Sequence, residues 1–157
     1  MVQKAVFGAG CFWGVELEFS KLPGVVATQV GYGGGKIERP TYDDVCSGTT
    51  DHTEIVEISF DPAKISYQAL VEKFFSLHDP TQLNRQGPDI GHQYRSVIFF
   101  QDAGQENIAR AVRTELSAAN RYAHPIMTAV EPAPVFWPAE EYHQQYLAKQ
   151  GRGACHI

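Results

Sequence analysis

One cysteine stands between glycine and two aromatic residues in Ala9-Gly10-Cys11-Phe12-Trp13-Gly14, where a short apolar run gives way to a helical pattern. A thiol at a helix N-terminus meets unpaired backbone N–H groups and the positive end of the helix dipole, and both favour the thiolate. Such a position suits a nucleophile. The alternative is a small apolar side chain filling a strand–helix junction, because free cysteine is among the most buried residue types. Context favours chemistry. Gly10 and Gly14 leave the sulfur approachable, and Phe12 and Trp13, adjacent at the start of a helix, cannot both face the core beneath it. A second residue out of place is Glu54. Read at period two, residues 53–60 put Glu54, Val56, Ile58 and Phe60 on one face and Thr53, Ile55, Glu57 and Ser59 on the other. A carboxyl thus begins the more apolar face. Buried there, it would stay protonated near neutrality and could act as an acid; at the strand end it could equally reach solvent.

The remaining reactive residues form no recognisable set. His52, His78 and His92 with Cys46 could in principle ligate a metal, but no Cys-x-x-Cys or His-x₃-His spacing supports that, and hydrogen-bonding histidines are expected. Gly31 and Gly33 to Gly35 resemble a phosphate cradle only superficially: no Gly-Lys-Ser/Thr follows and the dinucleotide spacing fails at Lys36, so a turn is expected. Cys155, on a glycine-flanked tail, is either a stray thiol or a mobile partner for a second sulfur.

The elements that must position Cys11 and Glu54 follow from periodicity. Residues 4–8 read as a strand, and Val15, Phe19 and Leu22 then fall at helical spacing before Pro23-Gly24. Residues 25–32 read as a second strand, followed by an irregular stretch to about residue 53. Residues 53–60, 66–77 and 94–100 read as strand, helix and strand. The order β-α-β-β-α-β predicts an α+β, ferredoxin-like two-layer α/β sandwich with helices on one sheet face. A third helix is expected from Gln105 to about Tyr122, a further strand over 127–130, and a coil-rich C-terminal region in which residues 139–149 form a short helix and a flexible tail starts near 150.

Composition narrows the partners. The 157 residues suffice for one domain with one sizeable core. The net charge is −5 and no basic stripe interleaves with aromatics, which argues against nucleic acid. No apolar stretch approaches the ~18 to 20 residues of a membrane span, and no secretory leader is legible. Ala9-Gly10-Cys11 lacks the context of a lipoprotein cleavage site. A cytoplasmic monomer is expected. Three cysteines make no disulfide framework.

Four separated stretches, "GCFWG", "PTYDDVCSGTTDHTE", "LHDPTQLNRQGPDIGHQYRS" and "FWPAEEYHQQYL", occur in an order that closely resembles the peptide methionine sulfoxide reductases of the A type. The resemblance runs from about Ala5 to Tyr146 and implies the same ferredoxin-like fold. It implies that Cys11 attacks the sulfur of the S epimer of methionine sulfoxide and becomes a sulfenic acid as methionine leaves. By matching positions, Glu54 would protonate the sulfoxide oxygen, the Tyr42 and Tyr94 hydroxyls would hydrogen-bond it, Phe12 and Trp13 would hold the substrate methyl group, and Asp89 would help organise the site. Cys155 would close a disulfide with Cys11 that thioredoxin reduces, while Cys46 would be a packed thiol. No cofactor or metal is implied. The chemistry needs these types: a sulfoxide oxygen leaves poorly until protonated, and an apolar cage beside an acid can accept only one epimer of a tetrahedral sulfur. Asp51, Pro88 and His92 depart from the usual pattern. Rival readings from other classes are an acyl-transfer hydrolase pairing Cys11 with His52 or His92, and a peptide-binding domain using the Phe12/Trp13 patch.

Overall fold

In the first strand, β1 (Gln3–Ala9), Ala5, Phe7 and Ala9 point to one side and Val6 to the other, and all four are buried. A strand apolar on both faces must lie inside a sheet covered on both sides. The computed structural model, which describes residues 2–35, 39–47, 52–87, 89–119 and 122–146, shows how the cover is made. After β1 come α1 (Phe12–Ser20), β2 (Val25–Gly33), α2 (Tyr42–Cys46), β3 (Thr53–Phe60), α3 (Tyr67–Ser76), β4 (Arg85–Gln86), β5 (Asp89–Ile90), β6 (Ser96–Phe100), α4 (Ala103–Ala118), β7 (Ala129–Pro132) and β8 (Trp137–Pro138). The main sheet has the order β7-β6-β1-β3-β2-β8. Its four inner strands are mutually antiparallel and, with α1 and α3, make the ferredoxin-like unit; β7 joins parallel to β6, which makes the sheet mixed.

Helices α1, α3 and α4 share one core with the sheet. Phe7 lies at its centre, with ring centroids 5.2 Å from Phe19 of α1 and 5.2 Å from Phe74 of α3. The opposite face buries Val6, Ile55, Val97 and Phe99 under Ala133 and Phe136 of the C-terminal coil. Side-chain caps set the helix starts: Ser66 accepts from the Ala69 N–H, and Asp102 accepts from the Gln105 N–H, so α4 begins at Ala103 rather than at Gln105.

Three expectations need correction. The stretch before β3 holds a helix, α2, started by a capping box in which Thr41 and Asp44 each accept the other's backbone N–H. The strand expected over 127–130 is shifted to Ala129–Pro132, because the Met127 N–H is bonded to the Pro80 carbonyl. Over the described part of the expected C-terminal helix, a 3-10 turn spans Glu141–His143 and Tyr146 is helical, while residues 147–149 lie outside the described residues. Tertiary bonds interrupt the helix between them. The Gln144 side chain accepts from the Val30 N–H and donates to the Val30 and Ala139 carbonyls, while Gln145, at φ 51, gives its N–H to Glu16. Cys155, Lys36, Asp51, Pro88, the rest of the expected tail and the side chain of His92 lie outside the described residues.

Candidate active site

The turn from β1 into α1 is made at Gly10, whose φ of 96° would strain any residue with a Cβ. It delivers half-buried Cys11 to the N-cap position of α1, where its side chain caps no backbone group. The next two residues divide as their adjacency requires. Phe12 is 1% exposed and joins the core, whereas Trp13 is half-buried at its rim. Gly14 is buried within α1 and Gly10 is buried in the turn, so neither glycine opens the approach expected of it, and the sulfur is reached through its own half-exposed side chain.

Glu54 does not reach solvent. It is 1% exposed, and its Oε1 accepts the Phe12 backbone N–H at 3.2 Å. A buried carboxyl from β3 therefore sits on the first turn of the helix that Cys11 caps. Tyr42 and Tyr94 complete the surroundings. Burial, then a hydrogen bond given to the Cys46 sulfur, then the charge of Glu54 push the Tyr42 hydroxyl far above the phenol range. For Tyr94 the causes are burial, then Glu54, Cys46, Asp89 and Cys11. Both hydroxyls thus keep their protons and remain donors, and Cys11, Glu54, Asp89 and both tyrosines lie within one electrostatic neighbourhood. Asp89 arrives on the β4–β5 hairpin, opposite Gln86, and Tyr94 on the 3-10 turn His92–Tyr94 that follows it.

Cys46 is not packed. It is exposed one turn after Tyr42 on the same side of α2, where its sulfur accepts from the Tyr42 hydroxyl and meets the charge of Glu54, while Val45 takes the core position. His52 is buried and accepts the Gly35 N–H, and His78 bridges the Phe74 carbonyl and the Ser96 hydroxyl. Among the described residues no three His, Cys, Asp or Glu side chains cluster as a metal site would need.

An aromatic box stands beside Cys11. The Phe12 ring lies 5.7 Å from Tyr32, 6.4 Å from Tyr42 and 5.3 Å from His143. Trp13 stacks on Tyr146 at 4.1 Å, and its indole N–H donates to His143 Nδ1 at 3.0 Å. Sequence reasoning assigned no role to Glu140, His143 or Tyr146, although all three lie in "FWPAEEYHQQYL". Glu140 accepts from the Tyr32 hydroxyl at 3.0 Å and from the Tyr42 N–H at 3.1 Å, tying α2 to β2. Burial opposes its charge, but the bonds it accepts outweigh burial and hold its carboxyl below the usual range. Burial lowers the pKa of His143 against the opposing pull of Glu140.

A family model described as peptide methionine sulfoxide reductase matches residues 3–157. The chain belongs to that family. It is 56% identical over 154 residues to a peptide methionine sulfoxide reductase MsrA of Methanoculleus marisnigri, covering 98% of this chain and 94% of the relative. It is 57% identical to one from Geobacter sulfurreducens, covering 98% and 95%. Among solved structures, reduced Mxr1 from Saccharomyces cerevisiae superposes with a TM-score of 0.89 at 34% identity, covering 98% of this chain and 88% of that one. Methionine sulfoxide reductase A of Corynebacterium diphtheriae superposes at 0.85 and 40% identity, covering 98% and 77%. The protein is accordingly a thiol-dependent oxidoreductase that reduces methionine sulfoxide, and the hydrolase and binding-domain readings fall.

Proposed function

We propose that Cys11 removes oxygen from the S epimer of methionine sulfoxide, free or in proteins, with Glu54 as the acid. The observation that carries this is the placement of Glu54: a carboxyl 1% exposed, bonded to the backbone N–H of the residue after Cys11. The Cys11 sulfur attacks the sulfoxide sulfur while the oxygen takes a proton from Glu54 and hydrogen bonds from Tyr94 and from Tyr42, whose O–H turns from the Cys46 sulfur to reach it. Protonation makes sulfur electrophilic and lets the S–O bond break. The released hydroxide then attacks the Cys11 sulfur of the Cys11–sulfonium adduct, and the S–S bond breaks toward the substrate, so that methionine leaves as the thioether and Cys11 keeps the oxygen, with the proton given by Glu54, as a sulfenic acid. Phe12 and Trp13 hold the substrate methyl group, and Asp89 helps organise the site.

Cys155 then attacks the sulfenic acid, releasing water and forming a Cys11–Cys155 disulfide. A thioredoxin dithiol opens that disulfide, taking up the oxidising equivalents. Residues 1–157 work as one catalytic domain, a cytoplasmic monomer engaged in repair of oxidised proteins. In support, strands from both ends of the described chain join one sheet, and no helix among the described residues is long and apolar enough to cross a membrane.

The test is Glu54→Gln, which keeps shape but has no proton to transfer. Rapid-quench measurement of methionine released in the first turnover should show a loss of about 10²- to 10⁴-fold, with folding retained. A near-normal first turnover would assign the proton to water or the tyrosines instead.

A further inference from the structure

Among the described residues Tyr142 carries the only exposed Phe, Tyr or Trp ring, 58% exposed, in a chain whose other such rings are buried or half-buried. Its place is specific. The ring packs against His143 with centroids 4.1 Å apart, and His143 in turn lies 5.3 Å from Phe12 and 4.5 Å from Tyr42. Two ring-to-ring steps therefore join the box beside Cys11 to a ring that stands in solvent. An exposed aromatic surface continuous with a binding site offers a rest for the remainder of a ligand.

Carboxylates border that ring. Glu140 and Asp43 act on the Tyr142 hydroxyl and, with burial as the larger cause, push its pKa up. Glu140 caps the 3-10 turn and Asp43 is an exposed residue of α2, so the two approach from different elements. Glu141, next to Tyr142 in the chain, is exposed as well. The face of an aromatic ring carries partial negative charge, and carboxylates beside it add to its attraction for a cation. The same groups repel an acidic side chain, and an aliphatic one gains only from the ring. The net charge of −5 draws cationic polypeptide in the same sense.

We infer that Tyr142, bordered by Asp43 and Glu140, is a docking ledge for a lysine or arginine side chain that flanks methionine sulfoxide in an oxidised polypeptide. The inference rests on the proposal that the sulfoxide is held beside Phe12 and Trp13 for attack by Cys11. Neighbouring Cα atoms are about 3.8 Å apart, and the long apolar stem of lysine or arginine lies along a ring while its charged head stays in water. Both contacts can thus be made at once. The ledge holds the flanking residue alike before and during attack on sulfur, so it lowers KM and leaves kcat nearly unchanged.

The experiment follows reduction, driven by dithiothreitol, of acetyl-X-Met(O)-X-amide peptides in which X is Lys, Leu or Glu. N-acetyl-methionine sulfoxide methylamide, which has no flanking side chain, is the reference substrate. With the wild-type protein KM should rise from Lys through Leu to Glu, with about a five- to tenfold spread between the ends, while kcat varies by less than about twofold. The spread should shrink between roughly 0.05 and 0.5 M salt. Tyr142→Leu keeps an apolar cover over His143 but has no π face, and it should remove most of the advantage of Lys over Leu. Asp43→Asn should narrow the gap between Lys and Glu. Both variants should leave KM for the reference substrate unchanged. Equal KM for the Lys and Leu peptides in the wild type, a lowest KM for Leu, or a preference for Lys that survives in both variants would overturn the inference. So would a rise in KM for the reference substrate in Tyr142→Leu equal to that for the Lys peptide, because the ring would then only prop the box. Cys11→Ser separates the two levels. Turnover of the reference substrate by that variant refutes the reading of the reaction, whereas its loss, together with no flanking preference in the wild type, refutes the ledge alone.

Discussion

Glu140 holds two elements of the site together through one carboxylate, and removing it has a cost that the geometry sets. In Glu140→Ala the Tyr32 hydroxyl and the Tyr42 N–H both lose their acceptor. Each buried donor left unbonded costs about 1–3 kcal/mol. Tyr32 is fully buried whereas Tyr42 is only half-buried and can recruit water, so the sum should fall at roughly 2–4 kcal/mol. Glu140→Gln behaves differently. Its amide oxygen can take the Tyr42 N–H while its NH₂ donates to the Tyr32 oxygen, which keeps one bond and reverses the other, leaving the Tyr32 O–H without its acceptor, at about 1–2 kcal/mol. The sign with pH follows from the lowered pKa of Glu140. A carboxyl whose pKa is lower folded than unfolded stabilises above the unfolded value, near about 4.3, and that contribution is lost as pH falls through the folded value. Urea unfolding followed by far-ultraviolet circular dichroism should therefore rank wild type above Glu140→Gln above Glu140→Ala at pH 7, with the gap between wild type and Glu140→Gln closing below about pH 4. Glu140→Ala within about 0.5 kcal/mol of wild type, or a gap to Glu140→Gln that widens in acid, would refute the reasoning.

Phe7→Ala should lose about 3–5 kcal/mol in the same unfolding assay, because it leaves a cavity between Phe19 and Phe74 that the surrounding rings cannot close. Cys155→Ser should release one equivalent of methionine in its first turnover and then stall with thioredoxin, while dithiothreitol restores cycling by attacking the sulfenic acid; normal cycling with thioredoxin, or a Cys11–Cys46 linkage by mass spectrometry, would reassign the resolving thiol.

Cys11 and Glu54 were legible because each contradicts a regular pattern: a thiol where a helix starts, and a carboxyl on the apolar face of a period-two strand. The βαββαβ core was legible for the same reason, since its strands and helices are long enough to show their periods. Helix α2 is not. Five residues carry no helical period, and its start rests on a capping box with aspartate rather than glutamate at the third position. Glu140 and His143 were hidden for another reason. They sit beside a 3-10 turn or within it, and their decisive bonds reach Tyr42 and Trp13 across 98 and 130 residues of chain. No local pattern records a partner that distant, and the second buried face of β3, around Ile55, depends on the same returning coil.

The seat of Gln144 on β2 has a consequence for the company this enzyme keeps. A side-chain amide that both accepts from and donates to Val30 imitates the peptide group of a neighbouring strand, and β8 covers the next two residues, Gly31 and Tyr32. At the other end of the sheet, outermost β7 finishes in Pro132, which has no N–H to offer. Open sheet edges recruit extended chain from other molecules. Proteins bearing oxidised methionine have lost apolar packing and expose such chain. A reductase that meets damaged polypeptide therefore gains from a sheet with few free backbone groups at its margins, so that it is less prone to coaggregate with the proteins it repairs.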